Sequence, residues 1–176
     1  MILVYAGQFF NTEELKAQLS LANDSANETV LKAAYKRWGS DFISHITGEF
    51  TIALYDKTNQ RLLLSRDRAG MEPLYYSQDD STFIFASEVK ALLRMRKKRR
   101  INFTSLHSCI VFGSVFSRAH LIEGIYELRA GHNLIIDSQS KIPVIHKYWD
   151  RVFNITKHPF LFYENEFKRL LSEAVK

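Results

Sequence analysis

Apolar and polar positions along this chain fall into two periods, and the period changes more than once. Residues 2–9 (ILVYAGQF) read as a strand running into a glycine. From Asn11 the spacing becomes helical. Leu15 and Leu19 share a face, Glu13 and Glu14 fill a first turn, and Asn11 stands where an N-cap is expected. A polar, turn-rich stretch over 21–27 leads to a second helix over 28–38. Its apolar face is Val30, Leu31, Ala34, Tyr35 and Trp38, and Gly39 is a natural C-terminal stop.

After Gly48 the period drops to two. Residues 50–55 and 62–65 alternate on either side of a turn at 57–60, which predicts a hairpin. Residues 73–77 and 82–86 flank the turn Gln78-Asp79-Asp80 and predict another. A short helix is expected over 88–95 and a further one over 105–112. Residues 121–128 and 132–136 are strand candidates joined through Ala130-Gly131. Pro143 and Pro159 mark a looser tail. The stretch 163–176 is amphipathic, and Phe167, Leu170, Leu171 and Ala174 are expected to face inward. Helices with antiparallel hairpins point to α+β layers rather than a parallel sheet.

Composition adds limits. The 176 residues are 46% hydrophobic and 24% charged, which excludes global disorder. No apolar run approaches the ~20 residues of a membrane span, and no membrane partner is expected. The start carries no basic region of a secretory signal, so a cytoplasmic location is expected. One cysteine, Cys109, excludes an intrachain disulfide framework. The formal charge of +5 is local: Arg94, Arg96, Lys97, Lys98, Arg99 and Arg100 hold all of the excess, and the rest of the chain stands at −1. The run is read as a solvated connector, and nucleic acid is not an expected partner. The six histidines show no ligand spacing, so no metal site is expected. No phosphate-binding glycine loop occurs.

Several strings taken in order carry a family resemblance: VYAGQFFN (4–11), ETVLKAAYKRWG (28–39), GEFTIALYD (48–56), LLSRDRAGMEPLYY (63–76), FIFASEVKALL (83–93), GIYELRAGH (124–132) and Tyr148-Trp149. Together they resemble the N-terminal class II glutamine amidotransferase domain of the glutamine-hydrolysing asparagine synthetase family. The resemblance implies an Ntn-type αββα fold, with two antiparallel sheets face to face and helices outside. It also implies an activity in which ammonia from glutamine passes to a second domain that activates aspartate with ATP and Mg. Residues 1–150 are the expected amidotransferase-like domain. Residues 151–176 are the expected connector to a synthetase domain, and no cofactor is expected in this chain.

Within that resemblance the chemistry looks degraded. In the family a cysteine after the initiator methionine is the nucleophile and its own α-amine the base. Here Ile2 follows Met1, so the resemblance implies that the family's first strand and nucleophile lie outside this sequence and that it is truncated at both ends. No catalytic residue is expected. Cys109 reads as a small core hydrophobe, and His107, two positions away, would not face it on a helix. Where the family has Asn-Gly-Glu this chain has Ala6-Gly7-Gln8, and Asn27 stands at an aspartate position. Ala6 removes one of two oxyanion donors, a loss worth ~10²–10³ in rate. Gln8 and Asn27 neutralise the two carboxylates that face the substrate ammonium. Charge-assisted hydrogen bonds contribute ~1.5–3 kcal/mol each, against ~4.1 kcal/mol for the whole affinity of a millimolar ligand.

Arg66, Asp67 and Arg68 are expected to form a structural ion-pair cluster within the run that continues to Gly70 and Pro73. Ser87 is an expected N-cap, with Glu88 and Lys90 near a domain interface. The reading that follows is a glutaminase-inactive pseudoenzyme half that docks on a synthetase-type domain or subunit. Such a partner would use free ammonia or perform a ligation needing none. An open sheet edge is expected to favour self-association. Two alternatives stay open: a gene fragment of a full asparagine synthetase, and a binding module that uses the basic run.

Overall fold

The strand Gly48–Asp56 (β2) sets the layering of the molecule. Phe50, Ile52 and Leu54 lie on one face and are sealed from solvent, while Thr51 and Ala53 lie on the other. A computed structural model describes residues 1–79, 82–96, 98–115 and 119–175. Asp80 of the expected turn, Lys97 of the basic run and Lys176 of the expected last helix lie outside the described residues.

β2 pairs antiparallel with Ile2–Phe9 (β1) on one side and with Arg61–Arg66 (β3) on the other. His132–Asp137 (β7) and Val144–Lys147 (β8) extend the sheet in the order β1-β2-β3-β7-β8. A second sheet of three strands holds Tyr75–Gln78 (β4) between Phe83–Ala86 (β5) and Tyr126–Glu127 (β6). The helices Thr12–Gln18 (α1) and Asn27–Trp38 (α2), with a 3-10 turn over Gly39–His45, cover one face of the large sheet. There Leu15, Val30, Leu31, Ala34, Phe42 and Ile43 meet Phe50, Ile52, Leu54 and Leu63. On the opposite face Leu64 and Leu134 meet Leu74, Tyr76 and Leu128 between the two sheets. The short helix Val89–Met95 (α3) buries Leu92 and packs on the small sheet.

The expected hairpins and first two helices form within a few residues of their expected bounds. Four expectations are corrected. Asn11 precedes α1 but makes no cap hydrogen bond; its amide bridges the carbonyl of His45 and the N–H of Thr47, both at 2.9 Å. Of the strand candidate 121–128 only Tyr126–Glu127 (β6) forms a strand; it joins the small sheet and β7 the large one, so the turn at Ala130-Gly131 crosses between sheets. The tail after Pro143 contains β8, which pairs with β7. The last helix, Phe160–Ala174 (α5), forms but buries nothing, and Phe167, Leu170 and Leu171 are exposed.

β1 is an edge strand of the large sheet, and its backbone approaches β2 unusually closely at one end. A Cβ on Gly7 would lie 1.9 Å from the carbonyl oxygen of Glu49, and Gly7 sits at φ +105°. A Cβ on Gly48, which pairs with Phe9, would lie 2.2 Å from the carbonyl oxygen of Gln8. Any side chain at Gly7 must therefore both strain the backbone and push two strands apart. Gly7→Ala is expected to lower unfolding stability by about 1–3 kcal/mol or more, read as a lowered urea midpoint with an unchanged slope.

Candidate functional site

Two arrangements concentrate chemistry: a groove beside β1, and the crossover that follows β3. The groove lies between the outer end of the large sheet and β5. It encloses about 200 Å³ and is lined by Val4, Tyr5, Ala6, Thr51, Ala53 and Phe85, with Ile52, Leu74, Ala86 and Ser87 completing it. The period of two explains the first set: Val4 and Ala6 share one face of β1, and Thr51 and Ala53 share the same face of β2. No carboxylate, ammonium or guanidinium lines this groove. Its polar groups are the hydroxyls of Tyr5, Thr51 and Ser87, and none of the three bonds to a basic side chain among the described residues. It offers neutral walls and no activated nucleophile.

Of the expected site positions, Ala6 lines the groove, while Gly7, Gln8 and Asn27 lie outside its lining. Gln8 is exposed at the far end of β1, opposite Glu49 in register. Asn27 opens α2 half-buried. The side chains of Gln8 and Asn27 make no hydrogen bond among the described residues. Ser87 borders the groove but does not cap α3; Glu88 holds the cap position without a side-chain hydrogen bond. Glu88 and Lys90 are exposed and pair with each other at 3.2 Å. Cys109 is half-buried on the helix Phe103–Phe112 (α4) rather than a core residue, and His107 beside it is exposed. Sequence reasoning did not bring Val4, Tyr5, Thr51, Ala53 and Phe85 together; the alternation of two strands carries that information only once their pairing is known.

The crossover is built differently from the expected ion-pair cluster. Asp67 is fully buried, and its carboxylate accepts from the backbone N–H groups of Ala69, Gly70, Met71 and Glu72 at 2.6–3.2 Å. Arg66, 8% exposed, donates to the carbonyls of Gly70, Glu72 and Leu128 at 2.7–2.8 Å. It also pairs with Glu127 at 2.7 Å. Arg68 reaches the carbonyls of Ser44 and Ile46 instead of an acid, and its Nε–H is buried with no partner in the structure. The three charges thus engage backbone groups, within the loop and on neighbouring segments, rather than one another. Gly70 supplies the left-handed turn at φ +71°, and Pro73 leads into β4. Tyr148 closes the assembly by donating to the carbonyl of Arg66 at 2.9 Å, and burial pushes its phenol pKa well up. No group of three or more potential metal-ligating side chains occurs among the described residues.

An α-layer on a five-stranded antiparallel sheet faced by a smaller one is the architecture of the Ntn-type amidotransferases. Two solved structures share it, each with a TM-score of 0.57 over 85% of this chain and 29% of theirs. One is the glutamine phosphoribosylpyrophosphate amidotransferase of Bacillus subtilis with ADP and GMP, at 20% identity; the other is an allosteric regulatory enzyme of purine biosynthesis, at 19%. The model of a glutamine amidotransferase domain matches residues 1–149. The chain belongs to this class II glutamine amidotransferase family, in the branch found in asparagine synthetases. It is 32% identical over 156 residues to asparagine synthetase [glutamine-hydrolyzing] 3 of Bacillus subtilis, covering 84% of this chain and 25% of that protein. A Methanocaldococcus jannaschii protein named as a glutamine-hydrolysing asparagine synthetase matches all of this chain at 30% identity, over 35% of its own length. Amidase chry2 of Gibberella zeae is 35% identical over 153 residues, with 84% of this chain and 22% of that protein covered. The chain thus spans about a third or less of the length of these relatives.

Because four amides converge on one buried carboxylate, Asp67→Ala leaves several backbone donors unsatisfied. The expected loss is about 3–5 kcal/mol, measured by chemical denaturation. Asp67→Asn keeps one oxygen acceptor and falls between the two.

Proposed function

We propose that this chain is an amidotransferase-like unit that does not hydrolyse glutamine as it stands and serves as a docking half for a synthetase-type domain or subunit. The observation that carries the reading is the neutral groove. Free glutamine is a zwitterion, and burying either charge without a counter-charge is costly. The groove lining holds no such counter-charge, and Ala6 leaves Gly7 as the one oxyanion donor of the family pair. Gln8 and Asn27, at the positions that would meet the ammonium, are neutral. Glu49 stands opposite Gln8 but outside the groove.

In this reading the unit's value is its shape. The clamp around Asp67 and the packing between sheets hold the fold without any contribution from the groove. The end of the family match at residue 149, and the exposed apolar face of α5 beyond it, support reading 151–176 as the connector toward a synthetase domain. ATP and Mg would belong to that partner. The expected outcome with millimolar glutamine is no ammonia above the blank and no heat of binding in calorimetry. Turnover that survives Cys109→Ala would place an activated nucleophile elsewhere and sink the reading. Turnover abolished by Cys109→Ala would sink it too, and would make Cys109 that nucleophile.

The free edge of β1 also supports self-association of the chain when no partner is present. Light scattering is expected to show oligomers, and a monodisperse monomer would remove this part of the reading.

A further inference from the structure

α4 turns much of its apolar surface outward. Its sequence, FTSLHSCIVF, is the most apolar of the helices, yet its one buried residue is Ser105. Phe103 and Ile110 are each 75% exposed and Val111 55%, at a spacing that places them on one outward stripe. The helix cannot roll to hide them. Asn102 caps it through Ser105, and the backbone before it is pinned to residues 121–123. Asn102 N–H donates to Leu121 at 2.8 Å, Glu123 N–H donates to Arg100 at 2.9 Å, and Ile101 bridges Ile122. Gly113 then closes the helix in a left-handed turn.

The basic run leads directly into this stripe. Arg96 is committed to the fold, donating to the Ser77 hydroxyl at 2.6 Å. Arg94, Lys98, Arg99 and Arg100 are exposed, and no carboxylate lies within ion-pair distance of them among the described residues. An apolar stripe with an unpaired basic flank has the make-up of an interface core and rim. A second copy of this chain is a poor occupant, because a two-fold contact would bring the two sets of cations together.

We infer that the α4 stripe, with Arg94 and Lys98–Arg100 as its rim, is the surface on which the synthetase-type polypeptide docks, through an apolar patch edged by carboxylates. This rests on the docking reading above and names the face and the chemistry of its partner. The relatives supply the geometric reason: in each, this domain is about a third or less of one longer chain, so a large covalently linked partner is at hand.

The test is a chimaera in which residues 1–176 replace the matching segment of the Methanocaldococcus relative, which aligns over the whole chain. Hydroxyl-radical footprinting reads side-chain access at Phe103 and Ile110. Labelling is expected to fall by more than half relative to the chain alone, and Ile110→Glu is expected to restore it at Phe103. Unchanged labelling on α4 with protection elsewhere, for example on α5, overturns this face but leaves docking intact. No protection anywhere overturns both. Should the chimaera not fold, the chain is mixed with the relative's remaining polypeptide as a separate probe. Association must then slow with added salt, and slow again in the quadruple variant R94Q/K98Q/R99Q/R100Q. Absence of binding, or binding indifferent to both, overturns the proposal. Salt-sensitive co-sedimentation of the chain with phosphatidylglycerol vesicles, with Phe103 protected, would assign the face to lipid and also overturn it.

Discussion

Everything in this molecule depends on how the chain leaves one sheet and enters the other. That crossover, residues 67–73, starts from the buried Asp67 and turns back through half-buried and exposed positions, so its consecutive N–H groups, which no strand pairs, need partners. Asp67 and Arg66 solve the problem jointly. One carboxylate gathers four consecutive N–H groups, and one guanidinium gathers three carbonyls and the Glu127 carboxylate. The neighbouring charges are each saturated by dipoles of fixed geometry, so their burial is compensated without relying on a direct ion pair. The N–H of Gly131 also donates to the Asp67 carbonyl at 2.8 Å, which ties the second crossover between the sheets to the first. Tyr148 and Trp149 then fold back onto the Gly131 carbonyl, so the end of the large sheet is secured at the same point.

This dependence separates the stability of the fold from the chemistry of the groove. The groove lies at the open margin, where β1 is exposed along most of its length. Substituting a polar for a neutral side chain there changes little buried surface, and such surface changes are typically worth within about 0.5 kcal/mol. The clamp has no such freedom. A chain can therefore lose its oxyanion donor and its substrate carboxylates while keeping an intact amidotransferase scaffold. Gly7 is the exception beside the groove, because its positive φ and the Glu49 carbonyl, which a Cβ there would meet at 1.9 Å, leave no room for a side chain.

Much of this was legible in the residues and some was not, for identifiable reasons. Hairpins over 50–65 and 75–86 follow from strict alternation and turn residues, and α2 follows from its face and Gly39. The family strings gave the sheet-on-sheet layering, which periodicity alone does not. Which sheets β6 and β7 join was not legible, because local pattern cannot assign a strand to a sheet; β6 pairs with β4, and the Arg66–Glu127 contact ties it there over 61 residues of separation. The three charges at 66–68 looked like mutual partners because sequence shows charges and hides carbonyls. α5 misled most. Amphipathic spacing predicts a buried face on the premise that the core lies within the same chain, and α5 turns that face outward; α4, expected only as a helix with Cys109 in the core, also exposes Phe103 and Ile110.

The outward apolar side chains of α4 have a physical meaning. A helix of ten residues has little intrinsic stability in water, so α4 persists because its N-terminal side is pinned to residues 121–123. Such pinning fixes an outward face at the cost of leaving Phe103 and Ile110 in solvent. Were the stripe without a partner, turning Ser105 out and the apolar side chains in would have been the more stable arrangement of the same segment. The structure instead spends its backbone hydrogen bonds on holding the apolar side chains outward, next to cations that no acid in the described chain answers. An orientation maintained against the hydrophobic effect requires a compensating contact. The fold thus presents two surfaces of opposite character: a groove lined without charged side chains, and a helix face supplied with both apolar area and neighbouring cations.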